Sequence, residues 1–133
     1  MNPRWTHITF TVSDLDCSVE FYRKWCGLSV VRDRRAEGGS TVWLSPSDAR
    51  PDELPTFIMV LMRGTVTDRL DHLGFQCAAR AEVDNLAQAA QAQGILAEGP
   101  HDSGGVVGYW AIIRDPDGHL VEFTHGQPLR GLL

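Results

Sequence analysis

Three polar residues of metal-binding type stand in three strand-like segments whose other face is apolar. In HITFTV, His7, Thr9 and Thr11 alternate with Ile8, Phe10 and Val12, and successive side chains of a strand point to opposite faces. In HLGFQC the same alternation sets His72, Gly74 and Gln76 against Leu73, Phe75 and Cys77. In HLVEFTH it sets Leu120, Glu122 and Thr124 against Val121 and Phe123. Two imidazoles and one carboxylate therefore sit on faces turned away from the core. These groups suit zinc, iron, nickel and manganese, and two His with one carboxylate form a ligand set that keeps coordination positions open. His7, His72 and Glu122 are the candidate ligands of one divalent metal ion, Fe(II), Mn, Zn or Ni. Any one of them alone is explained by a polar sheet face; the coincidence of three carries the metal reading.

The elements that must position these residues occur twice in the same order. From His7, a strand over 5–12 leads through Ser13, an N-cap type with Asp16 three residues on, into a helix over 14–26 that ends at Gly27. Leu15, Val19, Tyr22 and Cys26 mark its apolar stripe. Strands follow over 28–33, 40–45 and 56–62, separated by Gly38 and Gly39 and by the Pro-bearing stretch 46–55. From His72, a strand over 71–77 leads to a helix over 82–93 with Val83, Leu86, Ala87 and Ala90 on one face, stopped by Gly94. Strands then cover 95–98, 108–114 and 119–125. Gly27 and Gly94 lie 20 and 22 residues after their respective His, so the halves run nearly in step. The expectation is an α+β fold of two βαβββ modules, about 5–63 and 70–126, in a single domain.

If the halves are related by a pseudo-two-fold, the counterpart of Glu122 falls 65 to 67 residues earlier, at 55–57. The surrounding window, PTFIMVLM, holds no carboxylate, His or Gln. A fourth protein ligand of the usual kind is absent from it.

Composition narrows the function classes. The 133 residues are 43% hydrophobic and 22% charged, ordinary for a globular domain with a real core. A net charge of −5 and no Lys/Arg run longer than Arg34–Arg35 give no footprint for a phosphate backbone, so nucleic acid is not an expected partner. No apolar run approaches membrane-spanning length and no signal pattern opens the chain. With three cysteines, Cys17, Cys26 and Cys77, at core-like phases and without CxxC spacing, a cytoplasmic protein with no membrane association is expected.

The remaining candidates are loop residues and aromatics. GPHDSGGVVGYW at 99–110 is Gly-rich but lacks the strand and helix context of a dinucleotide site, and reads as a flap or connection. From such a flap His101 is a candidate general acid or base, because His titrates nearest neutrality; the plainer alternative is an exposed loop histidine. His119 and His125 read as surface or packing residues. Trp43, Tyr109 and Trp110 are candidates to line a site, but a one-residue slip at DPDG flips every side chain of 108–114. Arg130 is a candidate contact for an anionic group.

A His opening each half, βαβββ twice, FYRKWCGL at 21–28 and GYWAIIRDPDGHLVEF at 108–123 resemble the vicinal oxygen chelate superfamily, which includes glyoxalase I, extradiol dioxygenases, fosfomycin-resistance enzymes, methylmalonyl-CoA epimerase and metal-free bleomycin-binding proteins. The resemblance implies two modules curled into a cupped mixed sheet, with His7, His72 and Glu122 matching the metal ligands and Thr9 matching a Thr that assists chemistry in the fosfomycin-resistance enzymes. Glyoxalase I and the epimerase are similar but carry a fourth ligand, a Glu or Gln, in the strand corresponding to 56–62. The expected function is a divalent-metal-dependent enzyme acting on a small molecule with vicinal oxygens, extradiol dioxygenase-like first. The alternatives are a glyoxalase- or fosfomycin-resistance-type lyase or transferase, or a metal-free bleomycin-type binding protein. Strand edges left by each module invite pairing, so a homodimer is expected.

Overall fold

A computed structural model describes residues 1, 3, 5–46, 55 and 57–129. The chain divides into two compact units, 1–68 and 69–133, and each repeats one α+β plan. The first unit runs β1 (His7–Val12), α1 (Leu15–Cys26), β2 (Leu28–Asp33), a single 3-10 turn (Arg34–Glu37), β3 (Thr41–Pro46) and β4 (Ile58–Arg63). The second runs β5 (Leu73–Gln76), α2 (Arg80–Ala92), β6 (Leu96–Gly104), β7 (Gly108–Arg114) and β8 (Leu120–His125). The sheets share one topology, β1-β4-β3-β2 and β5-β8-β7-β6. In each, the first and last strands are neighbours and parallel, and the other pairings are antiparallel.

Alternation along the strands divides each sheet into a helix face and an open face. In the first unit Val42, Leu44 and Leu61 are fully buried on the face that packs α1, together with Phe10 and Tyr22, whose rings meet edge to face at 5.8 Å. In the second, Val83, Ala87 and Ala90 of α2 meet the side of the sheet that buries Ala111, Ile113, Val121 and Phe123.

The helix ends differ from expectation in informative ways. The N-cap of α1 is Asp14, not Ser13: its carboxylate accepts the Cys17 N–H at 3.0 Å, satisfying an amide that the helix leaves unpaired. Gly27 closes α1 in the left-handed conformation (φ 66°) and donates its N–H to the Tyr22 carbonyl, the role that favours glycine there. The buried side of α1 is Leu15, Ser18, Phe21 and Tyr22, turned by one position from the expected stripe because the aromatic pair goes inward. Cys17 is consequently exposed and Cys26 half-buried, and of the three cysteines only Cys77 is buried. Burial, helped by the Glu82 charge, pushes the Cys77 thiol up to about 11, which keeps it protonated and unreactive at neutral pH.

The segment expected as a flap is instead mostly a hairpin, because β6 extends to Gly104 and turns into β7 at Gly108. Gly108 (φ 80°) lies so close to the His125 carbonyl that a Cβ would collide with it, so this corner requires glycine. His119 is a buried packing residue rather than a surface one. It is 1% exposed, its Nδ1 accepts the Leu70 N–H at 3.0 Å, and its own N–H donates to the Asp115 carboxylate at 2.8 Å. Arg130 lies outside the described residues. Among the described residues no helix is long and apolar enough to cross a membrane.

The His119 contact yields a stability prediction. His119→Ala leaves the Leu70 amide without its acceptor and empties a buried site, and should lower unfolding free energy by about 1–3 kcal/mol. Urea melts of wild type and variant measure it; equal midpoints would show that the His119 contact adds nothing.

Candidate functional site

The parallel strand pair at the centre of each unit brings the expected residues to one face. In the second unit Gly74 pairs with Glu122, Glu122 with Ile112, and Ile112 with Glu98, one row across four strands. Register partners share a face, so Glu122 stands on the open face among these residues. Its side chain is only 15% exposed, and its Oε2 is 3.8 Å from His72 Nε2. His72 immediately precedes β5 instead of lying within it, and its Nδ1 is 2.6 Å from the Asp71 carboxylate. A carboxylate only accepts, so Nδ1 carries a proton and donates to Asp71, and Nε2 is the ring nitrogen on the Glu122 side. At Gly74 an added Cβ would come within 3.7 Å of Glu122 Oε2, so the missing side chain leaves space beside the carboxylate.

The first unit repeats this arrangement with different chemistry. Thr9 pairs with Val60, Val60 with Trp43, and Trp43 with Arg32. His7 lies one pleat before Thr9, with its Nδ1 2.8 Å from Thr6 Oγ1. Both histidines thus engage the side chain of the preceding residue through Nδ1. His7, Thr9, Trp43 and Val60 line an open concavity of about 440 Å³ with Thr6, Arg34, Thr41 and Ile58.

Register also identifies the counterpart of Glu122. With His7 matched to His72, Thr9 corresponds to Gly74, and their partners Val60 and Glu122 correspond to each other. The position is Val60 rather than 55–57, because β1 pairs with residues 51 further on (His7 with Ile58) and β5 with residues 48 further on (Leu73 with Val121). The first unit has three more residues between its paired strands. The residue at this position is a valine, whose side chain has no ligating atom.

His101 and Trp110 join the open face of the second sheet. They are register partners in the row containing Gln76 and Thr124, and their rings meet edge to face at 5.0 Å. His101 Nε2 lies 3.5 Å from Glu98 Oε1. The neighbours of this pair in sequence point the other way and tie the hairpin to α2. Asp102 accepts from Arg80 at 2.9 Å, the Arg80 guanidinium lies 3.9 Å over the Tyr109 ring, and the Tyr109 hydroxyl donates to Asp84. Trp43 and Trp110 therefore stand on open faces and Tyr109 on a helix face. Sequence alternation did not separate the two aromatics of β7, and it did not find Arg34 or Glu98.

Of the expected ligands, His72 and Glu122 meet within one unit, while His7 belongs to the other, as does the catalytic candidate Thr9. Among the described residues no group of three or more His, Cys, Asp or Glu is gathered closely enough to hold a metal ion. The half-buried carboxylate, the prepared Nε2 and the space at Gly74 fit a divalent cation beside the His72–Glu122 pair.

A family model described as the Glyoxalase/Bleomycin resistance protein/Dioxygenase superfamily matches residues 4–123. An uncharacterized protein of Pseudomonas aeruginosa is 40% identical over 134 residues, covering 97% of this chain and 93% of its own length. A possible glyoxalase from Bacillus cereus is 25% identical with a TM-score of 0.71, over 90% of this chain and 96% of that one. A mutant of the fosfomycin resistance protein FosX from Listeria monocytogenes, complexed with Mn(II) and a dihydroxypropylphosphonic acid, is 20% identical with a TM-score of 0.75, over 96% and 95%. An antibiotic-binding protein from a Streptomyces species is 21% identical with a TM-score of 0.69, over 95% and 98%. The last two are likenesses of fold. With the family model covering most of the chain and both units repeating the same βαβββ plan, the chain belongs to the Glyoxalase/Bleomycin resistance protein/Dioxygenase superfamily.

Proposed function

We propose that this chain is an enzyme that holds one divalent metal ion through His7, His72 and Glu122 and acts on a small molecule with two neighbouring oxygens. The observation that carries the reading is the His72–Glu122 pair, with Asp71 fixing the ring from behind. A carboxylate that orients the non-ligating nitrogen of a histidine is the usual support of a metal ligand. When bound, the ion supplies Lewis acidity and, as iron(II), electron transfer to dioxygen.

The remaining work falls to side chains on the two open faces. Glu122 contributes negative charge from a poorly exposed position, and Gly74 keeps its flank clear. Val60 supplies an apolar wall where a fourth ligand would stand, leaving more positions for substrate than a glyoxalase-type site has. Thr9, in the concavity with His7, offers a hydroxyl that can donate to or accept from a substrate oxygen. His101, which lies 3.5 Å from Glu98, is in this reading the general acid or base. Extradiol-type ring cleavage is the first reaction this supports. Addition of a thiol or water to an epoxide is the second, favoured by Thr9 and by the likeness to FosX.

Metal binding tests the centre directly. Wild type should hold about one equivalent of divalent metal, His72→Ala and Glu122→Ala should lose tight binding while keeping the fold, and Asp71→Asn should weaken affinity about 10- to 100-fold. Calorimetric titration and elemental analysis under matched dialysis measure this; identical retention by all four proteins would place the metal elsewhere.

The reaction is tested on iron(II), manganese and zinc forms against catechols under oxygen, an epoxide antibiotic with a thiol, and a methylglyoxal hemithioacetal. Ring cleavage requiring iron and oxygen is the expected result. Turnover of the hemithioacetal alone would overturn the three-ligand reading. Tight capture of a bleomycin-like compound by metal-stripped protein, with no turnover, would make the chain a binding module.

A homodimer is part of the proposal, because β1, β2, β5 and β6 are edges of their own sheets and such edges favour pairing. Sedimentation should give twice the 14.7 kDa chain mass; a monomer at all concentrations would remove this clause alone.

A further inference from the structure

The concavity on the open face of the first sheet has a polar lining of one kind. Its polar side chains are Thr6, His7, Thr9, Thr41 and Arg34, and its apolar ones are Trp43, Ile58 and Val60. Among the described residues no carboxylate lines it, although the whole chain carries a net charge of −5. Among the described residues the permanently charged group at its wall is a guanidinium, accompanied by three hydroxyls that can donate.

The segment after β2 fixes that guanidinium. Arg34 opens the 3-10 turn, and its Nε meets Glu37 Oε2 at 3.2 Å. That contact leaves the two-nitrogen Nη edge for a bidentate partner. Glu37 is shared: Arg32 Nη2 meets Glu37 Oε1 at 2.7 Å, and the Arg32 guanidinium lies 5.7 Å over Trp43. The two arginines hold the Glu37 carboxyl below the usual carboxylate range, Arg32 foremost, so it stays charged at neutral pH. Two cations around one anion leave a net positive charge beside the Trp43 ring.

We propose that Arg34 binds an oxyanion of the substrate, a carboxylate or phosphonate, while Trp43 and Val60 pack its compact apolar body. This deepens the functional reading by assigning the substrate class, and it rests on that reading for the vicinal oxygens at the His7 end. Arg34 is here a specificity residue, holding the anionic group rather than acting on the reacting atoms. Glu37 and Arg32 act through it, by holding the fork in place.

The test is binding of benzylphosphonate and of its neutral counterpart benzyl alcohol, followed by the indole N–H resonances of isotopically labelled protein. It is run on protein as purified and again after chelation. The phosphonate should move the Trp43 resonance and bind at least about tenfold more tightly than the alcohol, as expected for a charge-assisted pair. Arg34→Gln should remove that preference, Arg34→Lys should keep part of it, and Glu37→Gln, whose amide oxygen can still accept from Arg34 Nε, should preserve it. Raised salt should weaken it, because the group is partly exposed. Equal binding of the alcohol, an unchanged Arg34→Gln variant, or an equal loss in Glu37→Gln would overturn the proposal. So would an Arg34 dependence that vanishes on chelation, because the anion would then be held by metal. An Arg34-dependent preference that persists in protein shown to bind no metal would leave this assignment standing and remove the metal centre instead.

Discussion

The parallel pairing of the first and last strands of each βαβββ unit is the contact on which the rest depends. It joins His7 to Ile58 and Leu73 to Val121, segments about fifty residues apart, and no short turn can make such a pair. The helix and two intervening strands must cross over first, so the pairing exists only once the whole unit is assembled. The same contact places the opening His of each unit next to the strand that holds Val60 or Glu122. Local sequence proposes the functional side chains, and a non-local pairing makes them neighbours.

A strand can serve two purposes because its faces are independent. The dipeptides His101–Asp102 and Tyr109–Trp110 show this directly. Asp102 and Tyr109 are held against α2 by Arg80 and Asp84, while His101 and Trp110 meet on the other side. Exposed ion pairs of this sort add little to stability on their own. Their effect here is geometric, since fixing one face of a strand fixes what the other presents.

Much of this was legible in the sequence, and the failures have physical causes. Eight strands, two helices and their order follow from alternation, helical spacing and glycine stops, which are local properties. The phase of His7 and of Glu122 follows too, because apolar residues flank them at period two. Register does not, since it is set by loop lengths and bulges that no single segment records. The counterpart of Glu122 therefore moves from 55–57 to Val60. Likewise β6 shifts register between Leu96 and Glu98 and again between Glu98 and His101, so alternation along it cannot place His101. Arg34 was invisible as a site residue because its position on the open side comes from a 3-10 turn, which has no apolar periodicity to read.

The two rows of the duplicated scaffold differ in charge and in what they can hold. Thr9, Val60, Trp43 and Arg32 form one, and Gly74, Glu122, Ile112 and Glu98 the other. The backbone positions correspond, yet one row ends in a guanidinium and the other carries two carboxylates. A divalent cation is attracted to the second and repelled by the first, while an oxyanion has the opposite preference. The repeated βαβββ plan thus supplies two similar surfaces, and the departures from the repeat, at Val60 and Glu122 above all, give them opposite charge preferences.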